Sequence, residues 1–162
     1  MFRKFRFEET IYSDLSDIPM STRFKLDRVG IQLDAKTWSH FSLEERRVLC
    51  HLSVRSQGEL GCYRDFLLFL LRKHKEKAEK RDPESTRQER SEWENLSRIP
   101  EMVYFRILKL KKLITPQEWI DLDDLERYVL FKLSQDKRND EVFAQAFEEF
   151  LPLTGLKAQR IS

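Results

Sequence analysis

Four residues in the first half of the chain carry side chains that can bind transition metals. His40, Cys50, His51 and Cys62 supply imidazole and thiol groups, the natural ligands of zinc and iron. Their spacing matches no zinc-finger or zinc-ribbon pattern, and adjacent residues on a helix point about 100° apart. We therefore predict structural roles for these residues, with Cys50 or Cys62 as a small core side chain, and we expect no metal and no cofactor.

Nucleophilic catalysis requires a serine or cysteine beside a base that a third group orients. The local sequence contains no such set, and its four glycines form no phosphate-binding loop or dinucleotide motif. The carboxylate pairs Glu44–Glu45 and Asp123–Asp124 lie in the first turns of predicted helices, where the helix dipole favours negative charge. Capping explains them, so the sequence predicts no catalytic residue and a protein that is not an enzyme.

The composition limits the classes of partner and the compartment. The 30 basic and 28 acidic residues are interspersed and leave a net charge of +2, so no strong field for nucleic acid is expected. Two cysteines without further partners favour a reducing cytoplasm, and the start of the chain lacks the apolar stretch of a signal peptide. The longest apolar run, Phe66–Leu71, is too short to span a membrane.

The chain matches itself without a gap when it is shifted by eighty-one residues. About 13 identities fall in roughly 53 positions, against roughly three expected by chance. The matches include Ile18-Pro19 with Ile99-Pro100, Phe24 with Phe105, Trp38 with Trp119, Glu45-Arg46 with Glu126-Arg127, and Phe66 with Phe147. We predict two copies of one helical unit, spanning residues 18–71 and 99–151.

Capping signals divide each copy into helices. In the first copy, Gly30 is suited to end a helix that begins at Pro19, and Asp34 and Ser42 are suited to cap the next two. In the second copy, Thr115 and Asp123 occupy comparable positions. Trp38 and Trp119 begin equivalent short helices, so we predict that both anchor the core.

Two further segments complete the predicted architecture. The charged connector, residues 72–98, is interpreted as two solvated helical stretches joined at Asp82-Pro83. At the start of the chain, Phe2, Phe5 and Phe7 among basic residues predict a short extended arm that docks its phenylalanines. The predicted fold is all-α: two pseudo-symmetric multi-helix repeats packed as a single domain over residues 1–162, with this N-terminal arm.

Several motifs together resemble the nitrate reductase associated protein family, a group of small bacterial proteins. The I-P-M, R-F-K-L-D and tryptophan patterns are fairly specific in combination. The matching residues are Phe5-Arg6-Phe7-Glu8, Ile18-Pro19-Met20, Arg23-Phe24-Lys25-Leu26-Asp27, Gly30-Ile31, Trp38, Phe41 and Glu45-Arg46, and later Glu118-Trp119, Leu122, Arg127, Phe131-Lys132-Leu133-Ser134 and residues 147–151. The resemblance implies an accessory protein needed for the activity or maturation of assimilatory nitrate reductase, with that enzyme as its partner.

Four residues are the predicted partner contacts. Arg23, Lys25 and Asp27 qualify if they lie on the exposed side of their helix, although an internal ion-pair network is an equal possibility. Arg46 follows a capping glutamate and is suited either to pair with that acid or to reach a partner. Features found in only one copy are the better functional candidates, and Arg23 and Asp27 become Tyr104 and Leu108 in the second copy.

Two other classes of function stay open at this point. The short helix, turn and capped helix of each copy resemble a helix-turn-helix, which would make the protein a DNA-binding regulator. Acidic residues in the turns that would face the bases argue against this class. The other alternative is a small-ligand-binding protein or an enzyme with a site between the repeats.

Overall fold

A computed structural model of the chain describes residues 2–152, and most of these residues are helical. The predicted predominance of helices is therefore confirmed. The α-helices are α1 Met20–Val29, α2 Ala35–His40, α3 Leu43–His51, α4 Gln57–Lys73, α5 Pro83–Trp93, α6 Glu101–Lys109, α7 Pro116–Asp121, α8 Asp124–Gln135 and α9 Asp140–Phe150. A 3-10 helix spans Arg6–Ile11, and two-residue strands β1 (Ile31–Gln32) and β2 (Glu79–Lys80) pair antiparallel.

Several of the helices begin where the sequence supplies a capping side chain. Ser42 accepts a hydrogen bond from the backbone N–H of Glu45, whose carboxylate in turn accepts the N–H of Ser42. The same reciprocal capping box links Asp123 and Glu126 at the start of α8. At the end of α1, Gly30 has a φ of +72°, a left-handed conformation that glycine adopts without the steric penalty of a side chain.

The chain forms two compact units. Unit 1 comprises residues 2–4 and 8–87, and it contains helices α1 to α4. Its core includes Trp38, Leu49 and Tyr63, all of which are fully buried. The Tyr63 hydroxyl donates a hydrogen bond to the Leu49 carbonyl at 2.9 Å, so the polar group of this buried ring is satisfied.

Unit 2 comprises residues 5–7 and 88–152, with helices α6 to α9. Val103 and Ile107 of α6 are buried beside α8, and Trp119 of α7 is fully buried. The Trp119 indole N–H donates to the Asn95 carbonyl at 2.9 Å. The prediction that Trp38 and Trp119 are core residues is thus confirmed in both units.

The two segments outside the predicted repeats differ from expectation. The extended N-terminal arm is not confirmed, because Arg6–Ile11 forms a 3-10 helix. In the charged connector, a helix does begin at Pro83, and the Asp82 side chain accepts the Ser85 N–H at 3.1 Å. The first predicted helical stretch of that connector is wrong, because α4 ends at Lys73 and β2 pairs with β1 instead.

Candidate interaction surface

The three predicted contact residues of α1 have different surroundings. Arg23 is partly exposed, donates through Nε to the Ile18 carbonyl at 3.2 Å, and pairs with Asp17 at 3.2 Å. Asp27 forms an ion pair with Arg81, at 2.5 Å between the nearest nitrogen and oxygen. Both residues therefore brace α1 against neighbouring segments of unit 1. A role in partner contact stays a prediction for each.

Lys25 is buried, so it does not lie on the exposed side of its helix, as a contact residue was required to. Its side chain is inside unit 1, where the Nζ donates to the Cys50 carbonyl at 2.6 Å. This carbonyl lies in the last turn of α3, where unpaired carbonyls and the helix dipole favour a cation. Burial lowers the pKa of Lys25 to about 8, because the charged form loses hydration. Partner contact through Lys25 is untested and would require α1 to move.

Arg46 acts as a donor to several backbone carbonyls. Its Nε donates to the Trp38 carbonyl at 3.1 Å, and its Nη2 donates to the Ser39 carbonyl at 2.8 Å. Its Nη1 approaches the Leu15 carbonyl at 3.4 Å. These bonds tie α3 to α2 and to the segment before α1, so they give Arg46 a structural role beside the predicted contact role.

The four residues considered as metal ligands, His40, Cys50, His51 and Cys62, have different surroundings. Cys50 is buried and accepts a hydrogen bond from Thr22 Oγ1, whereas Cys62 is exposed. His40 is bound to Glu76, and His51 is close to the Arg47 carbonyl. Among residues 2–152, no group of three or more histidine, cysteine or acidic side chains is arranged to hold a metal ion.

Glu45 is a buried carboxylate whose pKa is strongly lowered. Burial tends to raise its pKa, but hydrogen bonds from the Ser42 backbone N–H, Lys73 and His74 outweigh that effect and hold it at about 2. Because the folded-state pKa lies below the usual 4.5, the carboxylate stabilises the fold above pH 4.5. That stabilisation is lost as the pH falls towards 2.

Replacement of Glu45 by glutamine is expected to lower the free energy of unfolding at pH 7 by about 1–3 kcal/mol, because charge-assisted hydrogen bonds are weakened. The difference from the wild type should shrink as the pH falls from 4.5 to 2. Urea unfolding at several pH values measures it. Glu44→Gln is the matched control, because Glu44 is exposed and pairs only at the surface with Arg47. An equal, pH-dependent loss in both variants would contradict this assignment.

Helix α6 of unit 2 carries an exposed apolar surface. Met102, Tyr104, Phe105 and Leu108 are between 38% and 62% exposed, and Phe105 is the most exposed of the four. We call these four residues the α6 surface. Single exposed apolar residues are ordinary, but a cluster of them on one helix is typical of a binding site.

The opposite side of α6 holds the helix firmly in unit 2. Val103 and Ile107 are fully buried, and Arg106 pairs with Asp140 at 2.7 Å and donates to the Asp136 carbonyl at 3.1 Å. The α6 surface is therefore presented on a rigid element. Rigid presentation lowers the entropic cost of binding a partner.

Sequence reasoning did not single out the α6 surface, although a signal for it exists. Six of the nine residues of Glu101–Lys109 are apolar, and they occupy more than one side of the helix. A helix that is apolar all round is normally buried on all sides. In α6 only one side is buried in the described structure, which leaves the other side available to a partner.

The family of the chain follows from a comparison with known sequences. Residues 4–150 match the family described as conserved nitrate reductase-associated protein. The chain belongs to this family. The resemblance drawn from the I-P-M, R-F-K-L-D and tryptophan patterns is thereby confirmed, and the match includes all four residues of the α6 surface.

The name of the family states an association with nitrate reductase but does not name a chemical reaction. No curated protein and no solved structure matches the chain significantly. Within residues 2–152, none of the helices combines the length and apolar character needed to cross a membrane.

Proposed function

We propose that the chain is a non-enzymatic accessory protein that binds nitrate reductase through the α6 surface. The observation that carries this proposal is an exposed apolar helix face in a member of a family named for its association with that enzyme. The free thiols of Cys50 and Cys62 suit a reducing compartment, and we place the role in the cytoplasm.

The chemistry of the α6 surface supports a protein partner. Tyr104 and Phe105 lie with their ring centroids 6.5 Å apart, and aromatic residues of this kind dominate the energetics of protein interfaces. Burial of an exposed phenylalanine side chain contributes about 1.5–3 kcal/mol. A few such residues supply much of the affinity of a typical interface.

The non-enzymatic part of the proposal has a structural argument in unit 1. The buried ionisable groups there are bound to the helices: Lys25 to the end of α3, and Glu8 to the Met20 N–H and the Tyr12 hydroxyl. Burial raises the pKa of Glu8 and also that of the Cys50 thiol, so this thiol is a weak nucleophile. These groups brace the fold.

We also propose that the two halves arose from one duplicated unit within a single domain. Helices α6, α7 and α8 begin eighty-one residues after α1, α2 and α3 respectively. In each half, a basic residue of the first helix donates to a backbone carbonyl at the end of the third helix: Lys25 to Cys50, and Arg106 to Asp136. Tyr104 and Leu108 of the α6 surface correspond to the charged residues Arg23 and Asp27 of α1. The second half has therefore acquired a distinct role.

Replacement of Phe105 by serine is expected to reduce the recovery of nitrate reductase about tenfold, because the most exposed aromatic residue of the α6 surface is removed. The measurement is affinity co-purification of the reductase with the tagged chain, in cells of the source organism that lack the chromosomal copy. Reductase activity in the same cells is a second readout. The melting temperature should stay within about 2 °C of the wild type.

Phe69→Ser is the matched control for this experiment. Phe69 lies on α4 in unit 1 and is 51% exposed, so its replacement removes a similar apolar area elsewhere. It should leave reductase recovery unchanged. If the wild-type chain recovers no reductase and the deletion strain keeps full reductase activity, the proposed function is wrong.

A further inference from the structure

Helix α4 of unit 1 has one buried side and one exposed side. The side chains at most 1% exposed are those of Tyr63, Leu67, Leu70 and Leu71. On the other side of the helix, Phe69 is 51% exposed, Phe66 is half-buried, and Asp65 and Arg72 are exposed. We call Asp65, Phe66, Phe69 and Arg72 the α4 surface.

The second half of the chain shows how a phenylalanine at the position of Phe69 is covered. Phe150 follows Phe69 by eighty-one residues, the offset at which the chain matches itself. Phe150 is buried, and the rings of Phe5 and Phe7 pack against it with centroids 5.3 Å and 6.1 Å away. Within residues 2–152, Phe69 contacts only the ring of Phe66 on its own helix, at 6.5 Å. An aromatic ring from another molecule would supply the cover that Phe69 lacks.

Two charged residues lie on either side of Phe69 along α4. Asp65 precedes it by four residues and Arg72 follows it by three, so all three share one side of the helix. In the part of the chain that the structure describes, neither charged side chain forms an ion pair or a hydrogen bond. Both charges are therefore available to a partner.

The order of these charges suits a second copy of the same helix that runs in the opposite direction. Asp65 lies about 6 Å before Phe69 along the helix axis, and Arg72 lies about 4.5 Å after it. If Phe69 of one copy faces Phe69 of an antiparallel copy, each Asp65 lies within about 1.5 Å, along the axis, of the second copy's Arg72. Twofold symmetry forms this ion pair twice. A parallel copy would instead place like charges opposite each other, which is unfavourable.

We propose that the chain forms a weak symmetric dimer in which the α4 surfaces of two copies pack antiparallel. The two Phe69 rings cover each other at the twofold axis, and each Asp65 pairs with the second copy's Arg72. The surface of one helix is smaller than a standard interface, and its ion pairs are exposed to solvent, so the chain is monomeric at a few micromolar. The dimer involves unit 1 and does not depend on the α6 surface or on nitrate reductase.

Sedimentation velocity of the full chain at about 5 to 500 µM tests the proposal. The wild type should change from monomer to dimer with a Kd of about 10–100 µM, as suits a small interface. Phe69→Ser should weaken the dimer about tenfold or more, because the aromatic contact at the axis is lost. Phe105→Ser, in the α6 surface, is the control and should dimerise as the wild type does.

Charge reversal tests the antiparallel ion pairs. Asp65→Arg and Arg72→Asp each place like charges across the twofold axis, so each variant alone should dimerise about tenfold more weakly. An equimolar mixture of the two variants should recover the dimer, because opposite charges face each other again in the mixed pair. Lys36→Glu, an exposed position on α2, is the matched control and should behave as the wild type does. Thermal melting checks that each variant is folded.

Cys62 reports the relative direction of the two helices. It is exposed, whereas Cys50 is buried, so a nitroxide reagent labels Cys62 in the folded chain. Cys62 precedes Phe69 by seven residues, which separates the two labels by about 21 Å along the axis of an antiparallel dimer. A parallel dimer would place them side by side. Pulsed electron paramagnetic resonance should therefore give a distance of about 20 Å or more.

Three results would overturn the proposal. The first is a chain that stays monomeric up to about 500 µM, which would leave the α4 surface to a different protein. The second is a dimer that Phe69→Ser leaves intact or that Phe105→Ser dissociates, because the dimer would then form through another surface. The third is a mixture of the Asp65→Arg and Arg72→Asp variants that stays monomeric, or a label distance below about 15 Å, since either would contradict antiparallel pairing.

Discussion

Replacement of Trp38 by alanine is expected to lower the free energy of unfolding by about 3–5 kcal/mol, the usual cost of removing a fully buried large aromatic residue. Trp38 is 0% exposed and its ring contacts that of Phe41, with centroids 6.4 Å apart. The mutation therefore opens a large cavity in unit 1. Urea unfolding followed by circular dichroism measures the change.

The indole N–H of Trp38 adds a second contribution to this loss. It donates to the Leu15 carbonyl at 2.7 Å, and Leu15 has a φ of +50°, a strained conformation for a residue with a side chain. Without the indole, the buried carbonyl keeps only the longer contact from Arg46. The cost of this weakened hydrogen bonding therefore adds to that of the cavity.

Two control variants separate the loss of the hydrogen bond from the loss of buried volume in Trp38→Ala. Trp38→Phe keeps most of the apolar volume but removes the N–H donor, so a loss of about 1–2 kcal/mol is expected. Phe69→Ala removes an exposed ring and should change stability by less than about 1 kcal/mol. A loss with Trp38→Ala no greater than that with Phe69→Ala would contradict the role of Trp38 as a core anchor.

Local sequence signals predicted the helices well because each signal acts within a few residues. Ser42 and Asp123 cap α3 and α8 as predicted, each within a capping box, and Gly30 ends α1 in the left-handed conformation. These features depend on contacts between residues three or four apart along the chain, which the sequence displays directly. The start of α5 at Pro83 was predictable for the same reason.

The burial of Lys25 was not predictable, because it depends on a contact between distant parts of the chain. Its partner, the Cys50 carbonyl, is twenty-five residues away. A lysine in an amphipathic helix usually extends to solvent, and no local signal distinguishes the rarer case of a lysine that binds the end of another helix. Its pKa of about 8 is a consequence of this packing.

The α6 surface, like the burial of Lys25, depends on contacts between distant parts of the chain. The sequence shows that Glu101–Lys109 is rich in apolar residues, but which of them are buried depends on how α6 packs against α8. The comparison of the two halves came closest, since it marked Tyr104 and Leu108 as positions where the second copy differs from the first. The α6 surface consists of those two residues together with Met102 and Phe105.

The N-terminal segment illustrates a misleading pattern. Alternation of phenylalanine with basic residues is typical of an extended strand with one apolar side. An isolated strand needs a neighbour to pair with, and Arg6–Ile11 instead forms a 3-10 helix. Phe5 is nevertheless buried, so the apolar character of the segment was more informative than its period.

Replacement of Arg127 by alanine is expected to lower the free energy of unfolding by about 3–5 kcal/mol, because it removes a buried guanidinium that is ion-paired and hydrogen-bonded. The Arg127 side chain is buried in unit 2 and pairs with Asp124. Its Nε donates to the Trp93 carbonyl at 3.1 Å, and its Nη1 donates to the Leu122 carbonyl. In the alanine variant these carbonyls lose their bonds to the guanidinium, and a cavity forms.

Two further variants distinguish the geometry of this guanidinium from its charge. Arg127→Lys keeps the positive charge but replaces the planar fork by a single ammonium group, so it should recover less than half of the lost stability. Arg46→Ala, at the equivalent position of unit 1, should cost about 1–2 kcal/mol, because Arg46 is less buried than Arg127 and one of its acceptors is the exposed Ser39. Urea unfolding of all three variants under one set of conditions makes the comparison. If Arg46→Ala lowered the free energy of unfolding as much as Arg127→Ala, burial of the arginine would not determine the size of the loss. The two arginines would then be equivalent supports of the fold, and neither would be available to a partner.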